Sequence, residues 1–384
     1  MKKKIFDSGI WLQPIMFVGA IVFLYNQNRY MLSSRENILL LFLGSFLPTC
    51  YILITKKGTP REQDAIMGKE KAMYPPVPKQ MLYKEPTGIV LGKYKGKYVC
   101  RDINADGHVF LIGGSGSGKS SCYVIPSLLV NSTTRIFAID IKGELSYKSA
   151  KCADEHVLIF NPQDRSKYGY NPFFNLDEKN SSQKILEVMQ TIVYSLIPMP
   201  AGLKDPFWKN SARNLLLGLL IYYYKCGVVD FVSIIDAILG QPVRVSINDV
   251  MQKANKKSAE YRYINQFSAM EDETLGGIVA EMNNHIVIFA NDQDIRYAFR
   301  DNGCKINPHL LEEGYSIYLS IREEKLSAYY DVMQLIINQT LAELEKRPED
   351  AEPVLFIIDE LPRILSAGKI DRLLDGARTL RSRH

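Results

Sequence analysis

Residues 109–121 read Val-Phe-Leu-Ile-Gly-Gly-Ser-Gly-Ser-Gly-Lys-Ser-Ser, and no other stretch restricts the possible fold as much. Its four leading apolar residues, 109–112, predict a buried strand. Gly113-x-x-x-x-Gly118-Lys119-Ser120 then matches every fixed position of a phosphate-binding P-loop between a strand and a helix. Glycines let the backbone curl so that successive N–H groups point inward, and the following helix presents its positive N-terminal end to the same spot. Gly113, Gly114, Ser115, Gly116, Ser117, Gly118, Lys119, Ser120 and Ser121 are therefore the expected nucleotide-binding residues. Lys119 is expected to reach the outer phosphates, and Ser120 to hold Mg²⁺.

A second run, Val354-Leu-Phe-Ile-Ile-Asp359-Glu360, ends an apolar strand in two carboxylates. That pattern fits a buried parallel strand whose C-terminal end opens onto a ligand. Asp359 is placed to accompany Ser120 at the metal. Glu360, one residue on, is placed to polarise the water that attacks the γ-phosphate, since hydrolysis needs an oriented nucleophile as well as a metal. ATP and Mg²⁺ are the cofactors this pairing predicts, and its chemistry is ATP hydrolysis. A guanine-reading Asn-Lys-x-Asp motif is absent, which argues against a GTPase.

Charge is informative only when divided along the chain. Residues 1–60 hold seven Lys/Arg against two acidic residues, and the remainder holds 40 of each sign. The overall +5 is therefore no sign of nucleic-acid binding, and any such site must be local. Six scattered cysteines without paired spacing fit a reducing cytoplasm, and neither they nor the five histidines suggest a metal site.

Residues 9–25 and 37–54 carry no charge, and each run is near the lower limit for a bilayer-spanning helix. With Lys2, Lys3 and Lys4 before the first and Lys56 and Lys57 after the second, they predict a transmembrane hairpin in the cell membrane with both ends and the main body cytoplasmic. A cleaved signal peptide is the rival reading, though it would export a nucleotide-binding domain away from ATP. Proline-rich residues 55–88 read as a linker, and 90–100 as a hairpin. Strands at 136–141, 156–160 and 315–321 alternate with helices, which predicts a parallel α/β sheet, with 136–141 beside the P-loop strand. Helical periodicity at 185–197, 209–224, 231–239 and, less clearly, 259–288 predicts an all-helical insertion, and a long helix is expected over 327–346.

Several short segments in this order resemble the TraG/TraD-type coupling proteins of conjugation and type IV secretion. Asp140-Ile-Lys142-Gly143-Glu144-Leu145 resembles the family's Asp-x-Lys-Gly-Glu-Leu segment, and Phe160-Asn-Pro162 with Tyr170-Asn171-Pro172-Phe173 its two Asn-Pro turns. Asp205-Pro-Phe-Trp208, followed by Asn210 and Ala212-Arg213, resembles the start of its helical domain. The resemblance implies a membrane-anchored ATPase with a RecA-like P-loop domain interrupted by an all-α domain. The implied boundaries are a hairpin at 1–58, nucleotide-binding segments at 59–176 and 291–384, and the helical domain at 177–290. It implies a homo-hexamer that receives a relaxase attached to single-stranded DNA and passes it to the secretion channel. A neighbouring protomer is expected to donate an arginine, and Arg378 is the candidate, with Arg381 and Arg383 as alternatives. One departure stands out. A RecA-like sheet needs a further sensor strand after Glu360, so a sequence ending at His384 reads as a fragment with an exposed sheet edge and impaired hydrolysis. Two other readings remain open: another DNA- or protein-moving ATPase on this fold, and a non-hydrolysing membrane receptor that docks substrates.

Overall fold

The computed structural model describes residues 77–102, 108–114, 116–130, 135–150, 156–164, 168–177, 179–200, 202–300, 305–348 and 351–367, all within one unit that spans Val77–His384. The expected transmembrane hairpin lies outside the described residues. Among the described residues, no helix is long and apolar enough to cross a membrane.

A small antiparallel sheet comes first, with β1 (Leu82–Tyr83), β2 (Ile89–Tyr94) and β3 (Lys97–Arg101) in the order β1-β3-β2. Lys95 and Gly96 both take positive φ (48° and 78°), the backbone that a two-residue hairpin turn needs. Part of the expected linker thus contributes a strand, because Leu82 and Tyr83 pair with Val99 and Tyr98. One wide helical turn over Ser120–Val124 then leads into α1 (Ile125–Val130). Pro126 has no N–H to offer a carbonyl four residues back, so widening the turn before it relieves the kink expected there.

The main sheet is built from β4 (Arg135–Asp140), which is followed by α2 (Glu144–Ala150), and from β5 (Val157–Phe160). A short strand β6 (Gly169–Tyr170) precedes a run of seven helices. These are α3 (Ser182–Leu196), α4 (Phe207–Lys225), α5 (Phe231–Leu239), α6 (Val243–Lys253), α7 (Ala259–Asn265), α8 (Asp272–Asn291) and α9 (Gln293–Phe299). The chain then returns through β7 (Lys305–Ile306), which pairs with β6, to β8 (Ser316–Ser320), α10 (Tyr330–Leu344), β9 (Val354–Ile358) and α11 (Leu361–Ala367). Strands β5, β8, β4 and β9 lie side by side in that order, all parallel, as an α/β sheet requires.

Alternation along β4 divides the core. Phe137 and Ile139 join the large cluster that also contains the helices, while Ile136 and Ala138 meet Leu128, Leu145 and Tyr318 on the opposite face. Phe137 lies opposite Phe356 of β9, with the rings stacked 4.9 Å apart. Helix starts are fixed by side chains: Ser181, Asp230, Ser258 and Asp292 each accept a backbone N–H from the first turn of α3, α5, α7 and α9.

One expectation is corrected. Residues 109–112 form no strand, and Phe110 and Ile112 are 72% and 87% exposed. The place beside β4 that was expected for them is filled, because both hydrogen-bonding edges of β4 are taken by β8 and β9.

Candidate functional site

The P-loop is assembled by backbone conformation. Gly116 and Gly118 take φ of 73° and 86°, a region that costs a side-chain-bearing residue roughly 1–2 kcal/mol. A Cβ at Gly113 would fall 2.6 Å from Ser117 Oγ and 3.5 Å from Lys119 Cγ, so a side chain there would fill the hollow of the loop. Lys119 arches over that hollow, its Nζ donating to the carbonyls of Gly113 at 2.8 Å and Gly114 at 3.0 Å. Ser121 Oγ donates to Gly118 O at 3.4 Å. Ser115 lies outside the described residues.

The loop meets the end of β9 through one bond: Ser120 Oγ donates to Asp359 Oδ2 at 2.9 Å. These residues are 239 positions apart, and Asp359 is 7% exposed. Its backbone N–H extends the ladder to Ile139 O at 3.2 Å, and its Oδ1 accepts the N–H of Glu360 at 3.0 Å. A serine hydroxyl and a carboxylate converging at the mouth of a glycine cradle form the hard-oxygen pair that suits Mg²⁺.

Glu360 sits on the sharp turn from β9 into α11, with φ of 55°. Such a backbone is uncommon for a residue other than glycine and is held here by the bond that the Glu360 N–H donates to Asp359 Oδ1. Its carboxylate does not float free. Lys142 Nζ donates to Glu360 Oε1 at 2.6 Å, and Arg363 Nε lies 3.6 Å from the other oxygen. Gly143, at φ 70°, turns the chain after β4 so that Lys142 faces this point. The lysine of the Asp140–Leu145 segment therefore lies at the nucleotide edge.

The other two charged residues of that segment serve the turn. Asp140 is 1% exposed, and its Oδ2 accepts both the backbone N–H and the hydroxyl of Ser146, capping α2. Glu144 pairs with Lys148 one helical turn on, and that hydrogen bond lowers its carboxyl below the ordinary value. Asn161 and Asn171 accept backbone N–H groups two residues ahead, from Gln163 and Phe173, as turn formers do. Tyr170 is buried and donates to Gln339 Oε1 of α10 at 3.0 Å, and burial pushes its phenol well above the ordinary range. In the segment 205–208, Asp205 Oδ1 caps the start of α4 through Phe207 N, and the Trp208 ring packs against Gly277, where a Cβ would come within 2.6 Å of it. These segments hold the helices and the sheet together; they do not form the site. Arg378, Arg381 and Arg383 lie outside the described residues.

Sequence reasoning missed the Lys142–Glu360 pair, since a separation of 218 residues leaves no pattern to read. The order of the sheet, which puts β4 beside β9, is what brings the two together.

With this geometry in view, a family model for type IV secretory system conjugative DNA transfer matches residues 56–382. Solved structures similar to the chain include the conjugative coupling protein TrwBdeltaN70 in an unbound form (13% identity, TM-score 0.55, covering 79% of this chain and 72% of that one). Plasmid coupling protein TrwB in complex with ADP and Mg²⁺ is similar at 14% identity and TM-score 0.52, covering 79% and 74%. TrwB with the ATP analogue ADPNP is similar at 16% identity and TM-score 0.50, covering 71% and 67%. At these identities the likeness speaks to fold. No curated protein matches the chain.

Proposed function

Since the chain belongs to the family of type IV secretory system conjugative DNA-transfer proteins, we propose that it is a membrane-anchored coupling ATPase. In this reading, hydrolysis of ATP drives relaxase-bound single-stranded DNA, or a protein substrate, into a secretion channel. The observation that carries the proposal is the 2.9 Å bond from Ser120 to Asp359, which places a P-loop and an acidic strand end at one point, with Glu360 beside them. The nucleotide- and Mg²⁺-bound forms of TrwB support the same choice of ligands.

Each residue then has a definite task. The N–H groups of the P-loop and Lys119 bind phosphate oxygens, Lys119 exchanging the carbonyls of Gly113 and Gly114 for them. Ser120 and Asp359 would hold Mg²⁺, which when bound supplies a Lewis acid that neutralises phosphate charge. Glu360 orients the attacking water and accepts its proton, and Lys142 fixes where that carboxylate points. Assembly as a homo-hexamer would let Arg378 of a neighbouring protomer stabilise the γ-phosphate. The hairpin at 1–58 would hold the assembly in the cell membrane, with the body on the cytoplasmic side.

The deciding measurement is ATP hydrolysis by the full 384-residue chain with and without single-stranded DNA, beside Lys119→Ala. DNA-stimulated turnover that disappears in the variant supports a motor. A second reading, a nucleotide-binding receptor without turnover, is favoured by the 2.6 Å ion pair that already occupies Glu360. Nucleotide binding without hydrolysis, in the presence of DNA, would select it.

A further inference from the structure

Away from the P-loop, an open cleft of about 520 Å³ lies between α3, α4 and α10. Arg213 of α4 forms part of its wall. That guanidinium is half-buried, its Nε donates to Ile197 O at 2.7 Å, and its plane lies 4.7 Å from the centre of the Tyr194 ring. No carboxylate among the described residues forms an ion pair with it. Burial accordingly pulls its pKa below the ordinary arginine value.

The floor is more unusual. Gln334 and Asn338, one helical turn apart on α10, are 3% and 7% exposed. Neither amide makes a hydrogen bond among the described residues, and Gln334 Oε1 and Asn338 Oδ1 are both sealed without a partner. The sealed oxygens are out of a ligand's reach, so what the two residues can offer one is the pair of NH₂ donors, which have no partner of their own among the described residues. Gln334 and Asn338 line the same cleft as Arg213, and with their oxygens sealed it is the NH₂ ends that are open to it.

The donor set selects the ligand. A planar guanidinium with flanking amide donors matches a carboxylate, which takes parallel N–H bonds. A nucleic-acid strand would need several cations in a row, whereas among the described residues Arg213 is the single cation lining this cleft, with the acidic Glu187 at its margin. Met199 and the free face of Tyr194 offer an apolar bed beside the charge. We propose that this cleft binds a monoanionic carboxylate on a short apolar stem, held by Arg213, Gln334 and Asn338. A polypeptide C-terminus and a free organic acid share that chemistry.

The site makes no use of the nucleotide residues, so calorimetric titration of the full chain tests it whether or not ATP is hydrolysed. The probes are acetyl-Ala-Ala-Met with a free carboxylate, the same peptide amidated, and N-acetylmethionine. Saturable binding of the acids, at least about tenfold weaker for the amide, is the expected result. Tighter binding of the tripeptide than of N-acetylmethionine identifies a chain end, and equal binding identifies a small acid. Arg213→Gln should weaken binding about tenfold or more. Asn338→Leu, which keeps the shape and removes the unpaired amide without threatening the fold, should weaken it several-fold. Equal binding of acid and amide, unchanged binding in both variants, or no saturation by about 10 mM, as a cleft holding water alone would give, overturns the proposal.

Discussion

Phe289 and Phe110 both lie in apolar runs, yet the first is 0% exposed and the second 72% exposed. Phe289 meets Phe231 edge-on at 5.1 Å and Phe299 at 5.0 Å, in a cluster continuous from α3 through α10. Phe110 leads into the P-loop without a strand partner. The same contrast runs through both regions. The helices bury their apolar stripes against one another, and α3, α5, α7 and α9 have capped starts, whereas β9, which delivers Asp359 and Glu360, is only half-buried along its length. Apolar character alone does not bury a side chain; a packed neighbour does.

Substitution separates the two regions most sharply at these phenylalanines. Phe289→Ala should cost about 3–5 kcal/mol, by loss of burial plus the cavity left behind. Phe110→Ser should change stability by less than about 0.5 kcal/mol. Chemical denaturation of both variants measures this, and equal losses would erase the distinction.

At the P-loop and the end of β9, the proposed function makes the expected effects kinetic. Glu360→Gln should lower turnover about 100-fold or more while nucleotide binding and melting temperature hold. Lys142→Met should lower turnover about tenfold through misplacement of that carboxylate, with KM for ATP unchanged. A rise in KM equal to the fall in turnover would mean that Lys142 contacts nucleotide and does not position Glu360.

The smallest effect concerns acid. Glu281 of α8 is held below its ordinary value of 4.5, first by the hydrogen bond from Lys209 and further by that lysine's charge, against the opposing effect of burial. A depressed carboxylate contributes stability above its unfolded pKa and loses it as pH falls through its folded one. Lys209→Met should therefore narrow the stability difference between about pH 6 and about pH 3, leaving the curve above pH 6 unchanged in shape. Urea midpoints at the two pH values check this, and an unaltered difference would show that the pair does not link α4 to α8.

Local chemistry made much of this legible. Charge-free runs ending in Asp140 and Asp359 read correctly as parallel strands, and the 3.6-residue period placed α3, α4 and α5 within a few residues. The hairpin over 90–100 was legible too, and its turn falls at Lys95-Gly96, where both residues take positive φ. What escaped depends on partners distant in sequence. α6 mixes charged and apolar residues too evenly to stand out, and the 259–288 pattern hid a break between α7 and α8. Residues 109–112 look like a strand but take no strand partner, and the place expected for them beside β4 is held by β8 and β9. The P-loop, Asp359 and Glu360 were recognisable as motifs. Lys142 as the partner of Glu360 was not, because strand order is set by tertiary packing.

The outer side of β9 has a practical consequence. Among the described residues β9 pairs with β4 alone, and a strand edge without a second partner is a row of backbone donors and acceptors, here beside half-buried Leu355 and Ile357. A row of that kind templates any extended segment that reaches it. Where no further segment covers that edge, copies at high concentration should pair along it into slowly growing assemblies. Dilution, low temperature or a charged residue introduced at the rim would then decide how much active material survives purification.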